Sequence, residues 1–217
     1  MNKLVIFDLD NTLIAGDSDR NWGQFLSEEG LVEEGYLEKS EEFYKGYYDG
    51  TLNIMDFLDF CGQPLKNNSM ELLLDKRKKF LDLKIKPILL KKGLEEVKKI
   101  KGLGFKVIIA TATNSFVTRP IAEIFSIKDL IATEFEIVDN AFTGKIVGNP
   151  CFQEGKLKKV KEWCEINNFD LRQATFYSDS FNDLPLLNEV GNAVIVDGDD
   201  QLKATAKTNK WECISFR

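Results

Sequence analysis

Three short apolar segments of this chain end abruptly in polar groups, and that repetition restricts the folds open to it. Leu4-Val5-Ile6-Phe7 runs into Asp8-Leu9-Asp10-Asn11-Thr12. Lys106–Ala110 runs into Thr111-Ala112-Thr113-Asn114, and Ala174–Tyr177 into Ser178-Asp179-Ser180-Phe181-Asn182-Asp183. Continuous apolar runs of this length read as strands buried on both faces. Open α/β sheets place their ligands at the carboxyl ends of such strands. The pattern predicts an α/β fold, a doubly wound (Rossmann-like), mostly parallel sheet with a site along that edge.

The first of these ends is the most explicit chemically. Asp8 and Asp10, two apart, point to the same side of an extended backbone. Two like charges in one partly solvated volume push a pKa up unless a cation neutralises them. Such a pair suits a hard divalent metal, or a division into nucleophile and acid. Alone such a pair is more often a solvated strand-to-loop turn. The polar ends at Thr111 and Asp179, and Lys156 opening an amphipathic helix after Gly155, turn the reading toward chemistry.

The set Asp8-x-Asp10-x-Thr12, Thr111, Lys156 and Asp179-x-x-x-Asp183 resembles the four motifs of the haloacid dehalogenase-like hydrolases. Order and strand context match over essentially the whole chain. Phe-Asp-Leu-Asp-Asn-Thr-Leu and Tyr-Ser-Asp-Ser-x-Asn-Asp are most similar to subfamily IB, the phosphoserine phosphatase-like branch. The resemblance implies a Mg²⁺-dependent phosphatase that hydrolyses a small-molecule phosphomonoester through an aspartyl-phosphate. Asp8 would be the nucleophile and Asp10 the acid and then the base. Lys156 would tie phosphate to the nucleophile, with Lys158 and Lys159 as nearby alternatives. Thr12, Thr111, Ala112 and Asn182 would face phosphate or substrate. Asp8, Asp10 (by its backbone carbonyl) and Asp179 would hold Mg²⁺, which accepts all-oxygen sites with several waters. Asp183 would bind the metal or orient its water.

Phosphoserine phosphatases place a glutamate at the hinge, facing the substrate amine; this chain has Asp17 there, one methylene shorter. They also use a cap arginine for the substrate carboxylate, for which Arg77 and Arg20 are the candidates. The glycine pair expected after the second motif is replaced by Ala112-Thr113. A phosphomutase of the same superfamily shares the intermediate, and sequence leaves open whether water or a second hydroxyl takes the phosphoryl group. Two other classes compete: a receiver-like signalling domain, which would be about half this length with adjacent acidic residues, and a catalytically dead phosphate-binding relative.

At 217 residues with 43% hydrophobic content, the chain can bury one core and a smaller accessory unit. No run approaches the ~18 apolar residues of a membrane span, and the N-terminal apolar run is too short for a signal peptide. Four dispersed cysteines read as reduced residues of a cytoplasmic protein. With no histidine, His triads and His-ligated zinc are excluded. A net charge of −6 argues against nucleic acid as partner, so a phosphate must be neutralised inside the site. The expected partner is a small phosphomonoester, with no nucleic acid and no membrane, and the protein a monomer or homodimer.

Almost a hundred residues separate the first strand from the second. They read as mostly helical, giving a helical cap domain at 17–86 and a core domain at 1–16 and 87–217, with Gly16-Asp17 and Pro87 as hinges. Phe43, Tyr44, Tyr47 and Tyr48 would line the substrate cavity or pack the cap itself. Beyond the cap, the pattern predicts helices at 91–101, around 120–125 and from 155 to about 167, and one begun by Pro185. A hairpin turning at Asp139-Asn140 and strands at 193–196 and 211–215 complete the expectation.

Overall fold

The computed structural model describes residues 3–217, so the first two residues of the expected core span lie outside the described residues. The chain runs β1 (Leu4–Phe7), α1 (Ser18–Glu28), α2 (Tyr36–Asp49), α3 (Ile54–Asn67), α4 (Met70–Phe80), α5 (Lys91–Gly102), β2 (Lys106–Asn114) and α6 (Ser115–Ile124). It continues through β3 (Asp129–Val138), β4 (Ala141–Val147), α7 (Glu154–Asn167), β5 (Thr175–Ser178), α8 (Leu184–Leu187), β6 (Asn192–Val196), α9 (Asp200–Asn209) and β7 (Glu212–Ile214). The strands form one sheet ordered β4-β3-β2-β1-β5-β6-β7. All neighbours are parallel except the β3–β4 hairpin, the mostly parallel α/β sheet expected.

β1 lies at the centre, and its alternation serves two cores. Val5 and Phe7 join a cluster on one face, Leu4 and Ile6 a second cluster on the other. Central position and burial on both faces explain why the run carries no polar alternation. The hairpin turns where expected: Asp139 and Asn140 have φ of 48° and 61°, the left-handed pair a two-residue turn requires.

The four helices α1–α4 lie between β1 and β2. Their caps are legible in the sequence: Asp17, Asn53 and Ser69 each accept a backbone N–H from the first turn that follows. These helices share one hydrophobic cluster with the sheet, with Trp22, Phe25 and Phe80 joined to Phe116 and Val117. α3 also packs on β4 with almost no clearance, since a Cβ on Gly62 would lie 2.5 Å from the Gly144 carbonyl oxygen.

Three local expectations differ from the fold. β2 continues past Ala110 to Asn114 through a register shift against β3. α6 starts at Ser115, capped by Asn114, so Pro120 sits inside it. Proline removes the N–H that would bond Phe116, and the freed Phe116 carbonyl accepts from Arg77 Nη1 at 2.7 Å instead. α9 was not anticipated, because its lone buried pair, Leu202 and Ala206, gives a weak periodic signal.

Candidate active site

The carboxyl ends of β1, β2 and β5 converge with the N-terminus of α7. Asp8 leaves β1 buried, its N–H bonded to the Tyr177 carbonyl at 2.9 Å. Lys156, only 3% exposed, places Nζ 2.9 Å from Asp8 Oδ1 and 2.6 Å from Asp183 Oδ1. Burial opposes the ammonium's charge, yet Asp183 and Asp8 hold its pKa well above the ordinary lysine value. Lys158 is exposed, and Lys159 donates to the Ala132 carbonyl at 2.8 Å, so neither reaches this cluster. Gly155 is required by a close backbone approach: a Cβ there would lie 2.1 Å from the Pro150 carbonyl oxygen.

Asp183 is fully engaged, since its second oxygen accepts from Ser178 Oγ at 2.7 Å. Asp179 Oδ1 accepts from Thr12 Oγ1 at 3.0 Å. Thr12, expected to face phosphate, is fully buried and holds Asp179 in place. Burial, with Asp8 and Asp183 adding like charge, raises Asp179 well above the carboxylate range. Burial likewise raises Asp8, against the pull of Lys156. Asp8 Oδ2 and Asp179 Oδ2 accept no hydrogen bond among the described residues.

Asp10 is held from three directions. Oδ1 accepts the Ser18 N–H at 2.6 Å, and Oδ2 accepts from Thr113 Oγ1 at 2.9 Å and Thr111 Oγ1 at 3.3 Å. Burial and the nearby Asp17 charge push it up to about 6, while the bonds from Ser18 and Thr113 pull the other way. The extension of β2 puts Thr111 and Thr113 on the same side as Asp10, so the departure from the glycine pair has a use. Ala112 lines the cavity and its carbonyl accepts from Thr133 Oγ1 at 2.9 Å. Asn182 lies at the rim, accepting from Gln153 Nε2 at 2.8 Å.

A cavity of about 580 Å³ opens between this strand edge and helices α1–α3. Among the described residues lining it, nine are aspartates and one, Lys156, is a cation, so its walls favour positive charge. Phe43, Tyr44, Tyr47 and Tyr48 all line it. Tyr44 donates to Asp17 Oδ1 at 3.2 Å, Tyr47 and Ser180 share a hydroxyl bond of 3.1 Å, and the Tyr47 ring lies against Phe152. These aromatics therefore pack the insertion and line the cavity together. Asp17 caps α1 and lines the cavity, its pKa raised to about 6 chiefly by burial and then by Asp19.

Neither arginine expected for a substrate carboxylate lines the cavity. Arg20 pairs with Glu41 and covers the Tyr44 ring, while Arg77 is spent on Phe116. Sequence reasoning gave no role to Asp19, Thr113 and Gln153; only the i, i+2 spacing from Asp17 and Thr111 could have signalled the first two.

No three acidic, cysteine or histidine side chains among the described residues converge as a ready-made cage. The free oxygens of Asp8 and Asp179 are hard donors beside a surplus of negative charge, which suits an ion keeping most of its own water.

A family model for haloacid dehalogenase-like hydrolases matches residues 5–188. The chain belongs to that family. Over 222 residues, covering all of both chains, it is 36% identical to a histidinol-phosphatase of Neisseria meningitidis serogroup C. Over 114 residues it is 35% identical to the phosphoserine phosphatase SerB1 of Mycobacterium tuberculosis, covering 52% of this chain and 37% of that one. A solved protein of unknown function from Bordetella pertussis matches with TM-score 0.94 and 32% identity over the whole of both chains. A substrate-bound phosphoserine phosphatase matches in fold with TM-score 0.74 at 20% identity, covering 99% of this chain and 93% of that one. The chain is thus a phosphatase-like hydrolase of the phosphoserine phosphatase-like branch, and no helix among the described residues is long and apolar enough to cross a membrane. The receiver-like reading is set aside by the family match.

Proposed function

We propose that this protein is a Mg²⁺-dependent phosphatase that hydrolyses a small cationic phosphomonoester, histidinol phosphate, through an aspartyl-phosphate on Asp8. Residues 17–86 would be a cap over a core of residues 1–16 and 87–217. The observation that carries the reading is Asp8 at the end of the central strand, ion-paired through one oxygen to buried Lys156 with the other free.

Asp8 Oδ2 attacks phosphorus, and the bond to the substrate oxygen breaks. Asp10, raised to about 6, is protonated in a minor but usable fraction near neutrality, and that form gives its proton to the departing alkoxide. It then takes one from the water that attacks phosphorus and breaks the bond to Asp8. Lys156 balances charge at the nucleophile throughout. Mg²⁺, held by Asp8, Asp179 and the Asp10 carbonyl, would supply neutralisation of the phosphoryl oxygens. Thr12 and Asp183 serve by fixing Asp179 and Lys156.

Substrate choice follows from charge. Phosphoserine carries a carboxylate, and an acidic cavity with no arginine among its described lining residues offers it no cationic fork. Histidinol phosphate has an ammonium and an imidazole and no carboxylate, which agrees with the name of the full-length relative. The test is phosphate release from histidinol phosphate, phosphoserine and glycerol phosphate. At least tenfold higher kcat/KM for histidinol phosphate than for either of the others is expected; a preference for phosphoserine would overturn the substrate assignment. Release as inorganic phosphate, without transfer to an added sugar alcohol, separates hydrolase from mutase.

A further inference from the structure

Asp19 is a second carboxylate on the same cavity wall as Asp17, with no role in the chemistry described above. Its Oδ1 accepts from Asn114 Nδ2 at 3.3 Å and its Oδ2 from Cys61 Sγ at 3.2 Å. Those donors come from β2 and α3, so the carboxylate is fixed by two separate elements. No lysine or arginine pairs with Asp19, Asp17 or Asp10 among the described residues. Three acids held close without a counter-ion cost stability, as their raised pKa values indicate. Ser18, between Asp17 and Asp19 in sequence, is fully buried and spends its N–H on Asp10 at 2.6 Å, so it brings these acids no counter-charge.

The wall next to this acid is aromatic. Tyr44 and Phe57 meet edge to face at 5.8 Å, Phe43 packs on Phe57 at 5.6 Å, and all three line the cavity with Leu58. A carboxylate beside aromatic faces recognises a flat ring that carries N–H groups and can bear positive charge. An aliphatic ammonium needs only the acid.

We propose that Asp19, walled by Tyr44 and Phe57, is the specificity residue for the leaving group, binding a planar nitrogen ring while Asp17 binds the amine. The assignment rests on the phosphomonoesterase reading. It divides recognition between two acids, so a substrate with both cationic centres gains over one with the amine alone. It also explains why the fold keeps an uncompensated acid here.

The test compares kcat/KM for histidinol phosphate with that for 2-aminoethyl phosphate, which has the amine and no ring. Any general effect of a substitution cancels in this ratio. In Asp19→Asn the ratio should fall at least tenfold; in Asp17→Asn both substrates should weaken and the ratio move less than threefold. Calorimetric binding of histidinol, the product without phosphate, decides the matter if Asp19→Asn turns over too slowly: it should bind at least tenfold more weakly than to wild type. A ratio or a histidinol affinity within twofold of wild type would overturn the subsite and leave the phosphatase reading standing. A wild-type enzyme inactive on every phosphomonoester would bring down both.

Discussion

Lys156→Met isolates what the buried ammonium does for the fold. Methionine matches the length and apolar stem of lysine, so little cavity is created and the loss is mainly of charge. In the native protein Nζ lies 2.9 Å from Asp8 and 2.6 Å from Asp183, and all three side chains are under 10% exposed. Removing one partner of a buried ion pair costs about 3–5 kcal/mol, because the other charge remains desolvated and unpaired. In a domain of this size 1 kcal/mol moves Tm by roughly 2–4 °C. The variant should therefore melt about 6–20 °C lower in chelator at pH 7.5. Adding Asp183→Asn should recover part of that loss, since one of the two orphaned charges goes. The sign with pH also follows. Burial already raises Asp8 to about 7 against the pull of Lys156, so without the lysine it rises further, and the penalty grows with pH through neutrality and fades as pH falls and Asp8 takes up a proton. Thermal denaturation of the single and double variants measures this. A loss under 1 kcal/mol, or a double variant no better than the single, would refute the buried ion-pair argument.

Asp19→Asn should stabilise the protein at pH 7.5 by about 1–3 kcal/mol, the upper end corresponding to a shift from 3.8 to about 6. Because the folded pKa is raised, the advantage should shrink as pH falls from 6 to 4 and vanish below, which urea melts across that range would detect. Gly62→Val should destabilise by about 2 kcal/mol or more, because its Cβ would press on the Gly144 carbonyl; an unchanged Tm would argue against close α3–β4 packing. Activity should disappear in chelator and return with Mg²⁺, while Ca²⁺, which prefers more ligands at longer distances, should inhibit. Full turnover in chelator would exclude the metal.

The strand edge was legible because its chemistry and its hydrophobicity change at the same residue. Asp8 and Thr111 sit one step past an apolar run and Asp179 two, so β1, β2 and β5 and the groups they carry could be read together. The supporting contacts could not be. That Thr12 braces Asp179 depends on β1 and β5 being neighbours, and Asp183's bond to Lys156 on where α7 begins. Arg77 looked free for substrate; nothing local to it announces that Pro120, on another helix, strips the Phe116 carbonyl of its partner. Asp19 was hidden because a helix's first turn favours acids anyway, and only the cavity reveals what it faces.

The central claim is that the phosphoryl group passes through the Asp8 carboxylate. Rapid quenching of the enzyme during turnover into borohydride, which reduces acyl phosphates to alcohols, followed by peptide mass mapping, tests it directly. The account predicts reduction at position 8 alone, dependent on substrate and absent in Asp8→Asn, with phosphate release falling by about 10⁴-fold or more in that variant. Turnover that leaves Asp8 unreduced, or an Asp8→Asn enzyme retaining more than a few percent of activity, would contradict it.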